Sequence, residues 1–121
     1  MQEKIKVDKV IISIINQVFE IEKKVSELQE SNSIQRNINK LKEILKNEFT
    51  GFTGQEQQGF TYHDPIGEDF DETRTDCEAN IAGIGTENLR ITEVIKPIIR
   101  YSKGDLNLIV QKAIVIVESK K

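Results

Sequence analysis

Residues 7–28 read VDKVIISIINQVFEIEKKVSEL. Within them Val7, Ile11, Ile14, Val18, Ile21, Val25 and Leu28 follow one another in alternating steps of four and three. A helix turns once every 3.6 residues, so this spacing keeps one apolar stripe facing a neighbour, as in the seam of paired helices. These seven residues are the expected oligomerisation surface. Ile12, Ile15 and Phe19 widen the stripe on one flank, which suits a bundle better than a bare two-stranded coil. A helix that buries little against its own chain needs a second copy or a partner to cover it. A homo-oligomer, with a dimer favoured, is therefore expected.

Working outward, the seam lapses at Ser31, Asn32 and Ser33, then resumes out of phase at Ile34, Ile38, Leu41 and Leu45, with Ile44 alongside. A single long helix carried through a stutter is the favoured expectation. The alternative is a break in which a serine caps a second helix. Gly51, Gly54 and Gly59 close the helical segment, taken as residues 1–50. Residues 51–78 read as an acidic, glycine-containing connector, pinned by Phe52, Phe60, Tyr62 and Phe70.

From residue 79 the pattern changes to β. Leu89–Tyr101 (LRITEVIKPIIRY) is dense in β-branched residues, and Leu106–Val117 (LNLIVQKAIVIV) is apolar on both alternating sets. Ser102-Lys103-Gly104-Asp105 is a turn signal, so the two segments predict a hairpin. A shorter strand is expected near Ala79–Ile84. Pro97 cannot donate to a strand ladder and marks a bulge, an edge or a break. The fold class expected is α+β: a long N-terminal helix followed by a small β domain over residues 79–121.

Composition narrows the function. The 121 residues carry 17 basic and 20 acidic side chains, a net charge of −3. That argues against general nucleic-acid binding, which needs lysines and arginines massed on one surface. Arg74 is the sole base between residues 51 and 80. No apolar run approaches the ~20 residues that span a bilayer, and Met1–Lys9 lacks a signal-peptide pattern. A cytoplasmic protein without membrane attachment is expected.

A single cysteine, Cys77, excludes an intrachain disulfide, and with His63 as the sole histidine a zinc site lacks ligands. The segment Asp64-Pro65-Ile66-Gly67-Glu68-Asp69 does not match a calcium loop. Cys77 and His63 form no marked nucleophile–base set, and no phosphate-cradling glycine loop is present. No catalytic residue, metal or cofactor is expected, and Cys77 and His63 read as ordinary strand and turn residues. What remains is interaction surface: the helical seam, and a sheet face carrying Lys96, Arg100 and Lys112.

The C-terminal third resembles the β domain of GrpE-type nucleotide exchange factors. Asp64-Pro65, Glu78-Ala79, Ile91-Thr92-Glu93-Val94 and Val110–Val117 (VQKAIVIV) follow that family's motifs in order, while its Gly-Tyr pair falls on Ile98-Ile99 and its arginine on Gln111. The resemblance implies a helix-paired dimer that binds the nucleotide-binding lobe of a DnaK-type chaperone and speeds ADP release. It places the partner contacts on Thr86, Glu87, Asn88 and Leu89, with Lys96 and Gln111 nearby. The alternative expectation is an oligomeric adaptor that docks a target through the β module, its flank of Ile12, Ile15 and Phe19 covered by a hetero-bundle.

Overall fold

The computed structural model describes residues 9–28, 33–47 and 58–120. The chain is α+β; the described residues form two helices followed by seven strands in two sheets. The helices are α1 (Lys9–Ser26) and α2 (Ile34–Asn47). The strands are β1 (Gln58–His63), β2 (Asp69–Phe70), β3 (Cys77–Ile81), β4 (Leu89–Lys96), β5 (Ile98–Lys103), β6 (Leu106–Gln111) and β7 (Ala113–Ser119).

The expected single long helix is not what forms. The Glu22 carboxylate of α1 accepts hydrogen bonds from Gln35 at 3.0 Å and from Lys42 at 3.3 Å, both on α2. In one continuous helix the 20 residues from Glu22 to Lys42 would span about 30 Å. The two helices therefore fold back on each other as a hairpin. Ser33 stands just before α2, and its carbonyl accepts from the Asn37 amide at 3.4 Å.

The predicted strand hairpin exists, but each arm is two strands. β5 and β6 pair antiparallel through a two-residue turn, Lys103 opposite Leu106. Gly104 has φ 57°, and a glycine at the first turn position supplies the left-handed backbone that such a tight hairpin requires. At Pro97 the first arm leaves β5 and becomes β4; at Lys112 the second leaves β6 and becomes β7. β4 and β7 then pair antiparallel in the other sheet. Register shifts between Ile99 and Arg100 and between Val94 and Lys96 flank the corner. Such bulges let strands turn from one sheet into another. One long hairpin is thus bent across both sheets.

The remaining strands lie on its borders. β1 pairs antiparallel with β5, giving a three-stranded sheet β1-β5-β6. β2 pairs with β4, and β3 runs parallel to β7, giving a four-stranded sheet β2-β4-β7-β3. So the expected connector carries strand structure from Gln58 onward: β1, β2 and the start of β3. Residues 51–57, Phe52 among them, lie outside the described residues.

Neighbouring side chains on a strand point to opposite faces, and β5 uses both. Ile98 joins a core with Cys77, Leu89, Ile91, Val94, Val115 and Val117 on the four-stranded sheet. Ile99 joins a second core with Ile15, Leu45, Phe60 and Tyr101 beneath the helices. α1 contributes to both cores, Ile15 to the helical one and Phe19 to the sheet one, each at most 2% exposed. This corrects the expectation that the flank of Ile12, Ile15 and Phe19 awaits a foreign bundle: the chain's own sheets cover it.

α2 lies so close to β1 that a Cβ built on Gly59 would sit 1.8 Å from the Lys46 carbonyl oxygen. That neighbour is backbone, so the helix itself must shift. Gly59→Ala is expected to destabilise the fold by about 1–3 kcal/mol. Urea unfolding checks this, and a variant as stable as the parent contradicts the packing.

Candidate functional site

The apolar residues of α1 divide between two faces. Ile15, Val18 and Phe19 are buried, while Val10, Ile14 and Ile21, and Leu28 just past the helix, are 63, 52, 46 and 54% exposed. α2 divides in the same way, with Ile38 and Leu45 buried and Ile34, Leu41 and Ile44 exposed. The expected seam is therefore not one surface. Val18 is committed to the interior, Ile11 and Val25 are half-buried, and Ile14, Ile21 and Leu28 face outward; Val7 lies outside the described residues. Leu41 of α2 stands beside Val10, Ile14, Val18 and Ile21 of α1 in one open groove.

A polar cluster fixes the hairpin to the sheet from below. The Tyr62 hydroxyl on β1 donates to Glu22 at 2.6 Å, and the Lys42 ammonium lies 5.0 Å from the Tyr62 ring centroid. Burial pushes the Glu22 carboxyl toward protonation, but hydrogen bonds from Tyr62, Gln35 and Lys42 outweigh it and hold the pKa below the ordinary carboxylate value. Burial first, and then the adjacent Glu22, raises the Tyr62 pKa, so its hydroxyl keeps the proton it donates.

A second polar set guards the corner of the bent hairpin. Asn16 and Gln111 exchange amide hydrogen bonds at 3.0 and 2.9 Å, and Gln111 also donates to the Pro97 carbonyl at 3.0 Å. Gln111, expected at a partner surface, is instead tied inward.

The third feature is a cleft of about 710 Å³ at the end of the four-stranded sheet that α1 does not cover. Phe70, Ala79, Ile81 and Leu89 form its apolar floor, and Asp71, Glu72, Thr86, Glu87 and Asn88 surround it. The structure thus brings together four of the six predicted contact residues, Thr86, Glu87, Asn88 and Leu89. Leu89 is buried and the other three are exposed. Lys96 stands at the opposite end of the eight-residue β4, roughly 24 Å away at strand rise.

Arg74 organises the segment that carries Asp71 and Glu72. Its guanidinium donates to Asp76 at 2.6 Å, to Glu68 at 2.7 Å and to the Asp69 carbonyl at 2.9 Å. The hydrogen bond to Asp76 is the main reason its pKa is raised. Burial opposes ionisation of Glu68 and Asp76, yet their bonds to Arg74 hold both carboxyls below the ordinary range. Arg100 adds a contact to Asp76 at 3.8 Å, so of the cationic face expected on the sheet only Lys96 and Lys112 remain uncommitted among the described contacts. Asp71 accepts from the Thr73 amide at 2.8 Å and from the Thr73 hydroxyl, which keep it anionic.

The two residues weighed for catalysis sit apart in role. Cys77 is buried on β3, and burial pushes its thiol up to about 11. His63 ends β1 and contacts Glu68. Among the described residues no group of three His, Cys, Asp or Glu side chains is placed to hold a metal ion, and no helix is long and apolar enough to cross a membrane. The cleft floor was missed in the sequence because Ala79 and Ile81 meet Phe70 only across four strands.

Glu22, Glu68 and Asp76 all have folded pKa values below their unfolded ones, so the native state binds fewer protons at low pH. Their stabilisation is complete above the unfolded values and is lost as pH falls through the folded ones. The urea midpoint is expected to hold from neutral to about pH 5 and to fall below it. Glu22→Gln should make that fall shallower; an unchanged slope would remove Glu22 from the account.

No protein-family model, no curated protein and no solved structure matches the chain.

Proposed function

We propose that the chain is a non-enzymatic binding module that pairs with a second copy through the outer face of its helical hairpin and presents the cleft at the far end of its sheet to a client. One observation carries the pairing. Exposed apolar residues stand along the outer side of the hairpin: Val10, Ile14 and Ile21 on α1, and Ile34, Leu41 and Ile44 on α2, with Ile14 and Ile21, and Ile34 and Leu41, each seven positions apart. Residues seven apart lie within about 20° of one another around a helix, so each pair presents one apolar ridge of the kind a facing helix covers. An apolar strip of this length facing water is also unfavourable, since burial gives about 25 cal/mol per Å².

Charge does not oppose a second copy. Beside its apolar residues the groove is lined, among the described residues, by one charged side chain, Lys9, and by the uncharged Ser13 and Gln17. A surface lined this way is little repelled by itself. Facing hairpins would form a four-helix arrangement, with the β modules held outside it.

Light scattering of the intact protein is expected to give twice the chain mass. Leu41→Glu, a change at an already exposed position, should yield single chains with an unchanged far-ultraviolet spectrum. A parent protein that weighs as one chain at micromolar concentration rejects the pairing.

Nucleotide exchange on a DnaK-type chaperone is the narrower form of the proposal. Its support is the gathering of Thr86, Glu87, Asn88 and Leu89 along one cleft. An exchange factor acts only through unequal affinity for the open and closed chaperone lobe. Stopped-flow release of a fluorescent ADP analogue is expected to accelerate with added protein, and rates unchanged at saturation would leave the adaptor role in place of exchange.

A further inference from the structure

We infer that the cleft at the uncovered end of the four-stranded sheet holds a short extended peptide segment in which basic residues alternate with apolar ones. This deepens the binding-module proposal by naming the chemistry of the client, and it does not depend on the helices pairing.

The first ground is charge. Asp71, Glu72 and Glu87 line the cleft, and among the described residues no lysine, arginine or histidine lines it. The nearby cation of the C-terminal strand, Lys120, is paired with Asp69. Asp71 is fixed as an anion by Thr73, and the turn that bears it is held by Arg74. The Asp71 carboxylate is therefore held in place, and an incoming base displaces no cation among the described residues that line the cleft.

The second ground is the floor. Ile81 is 49% exposed and belongs with Leu89 and Phe70 to the face that elsewhere forms a core. A purely ionic ligand leaves the Ile81 side chain in water. A segment with apolar residues covers it.

The third ground is extent. Phe70 and Ile81 come from β2 and β3, the two edges of the sheet, with β4 and β7 between them. Three strand spacings amount to about 14 Å, which an extended chain crosses in about four or five residues. A compact ion fills one corner of such a cleft; a peptide laid across the strands reaches both the floor and the acidic border.

The probe is a fluorescein-labelled Lys-Leu-Lys-Leu-Lys peptide, with Glu-Leu-Glu-Leu-Glu as its control, followed by anisotropy. Saturable binding of the basic peptide, weakened by added salt, is the expected result. Glu72→Gln combined with Glu87→Gln should reduce affinity about fivefold, the scale of two exposed ion pairs. Ile81→Ser should reduce it while the salt dependence persists. The Leu41→Glu protein should bind the peptide as the parent does, so loss of pairing and loss of client binding are read separately. Equal binding of the two peptides, no saturation, or full affinity in the doubly substituted protein each overturns the assignment.

Discussion

The fold depends on how the long hairpin turns its corner. Both arms must change sheets at the same level, and the two places where they do so, Pro97 and Lys112, are adjacent in space. Pro97 has no amide hydrogen to donate, so its carbonyl is the group left to tie. Gln111 ties it, and Asn16 on α1 satisfies the rest of the Gln111 amide. Three hydrogen bonds among part-buried groups thus join the two arms and the first helix. Losing one partner leaves the others desolvated without replacement, a larger cost than the net value of any single bond.

The position of α1 follows from that corner. With Asn16 anchored, Ile15 falls onto the three-stranded sheet and Phe19, one turn along, onto the four-stranded one. Phe19 stands edge-on to Tyr62 at 6.2 Å between centroids, and Tyr62 reaches Glu22. Lys23 donates to the Val94 carbonyl at 2.9 Å. The helix is held along its inner face by alternating apolar and polar contacts. On its outer face Ile14 and Ile21, which the interior does not use, are turned to the surface.

Part of this was legible in the residues. The helical period of the first segment, the turn at Gly104 and the interruption at Pro97 were visible because each has a local cause: spacing, a left-handed backbone, a missing donor. The division of the apolar stripe was not. Ile14 and Ile15 are adjacent and chemically identical, and the sheet beneath decides which is buried. The strand character of Gln58–His63 was hidden by the glycines and glutamines before it, although Phe60 and Tyr62 alternate as a strand requires. Leu106–Val117 read as one strand because nothing at Lys112 breaks β propensity; the corner there is imposed by the partner arm. Thr86–Leu89 were placed by resemblance and do share one cleft, whereas Gln111 lay in an amide pair that joins residues 95 positions apart, a distance no local pattern spans.

Cys77 lies on the strand that pairs parallel with β7, 7% exposed, with its thiol pushed up to about 11. At neutral pH such a thiol stays protonated, and the thiolate is the reactive form. Alkylation must therefore wait for that strand to detach. The solitary thiol serves as an internal clock for this event: the rate at which a small maleimide consumes it reports how often the border of the sheet comes loose.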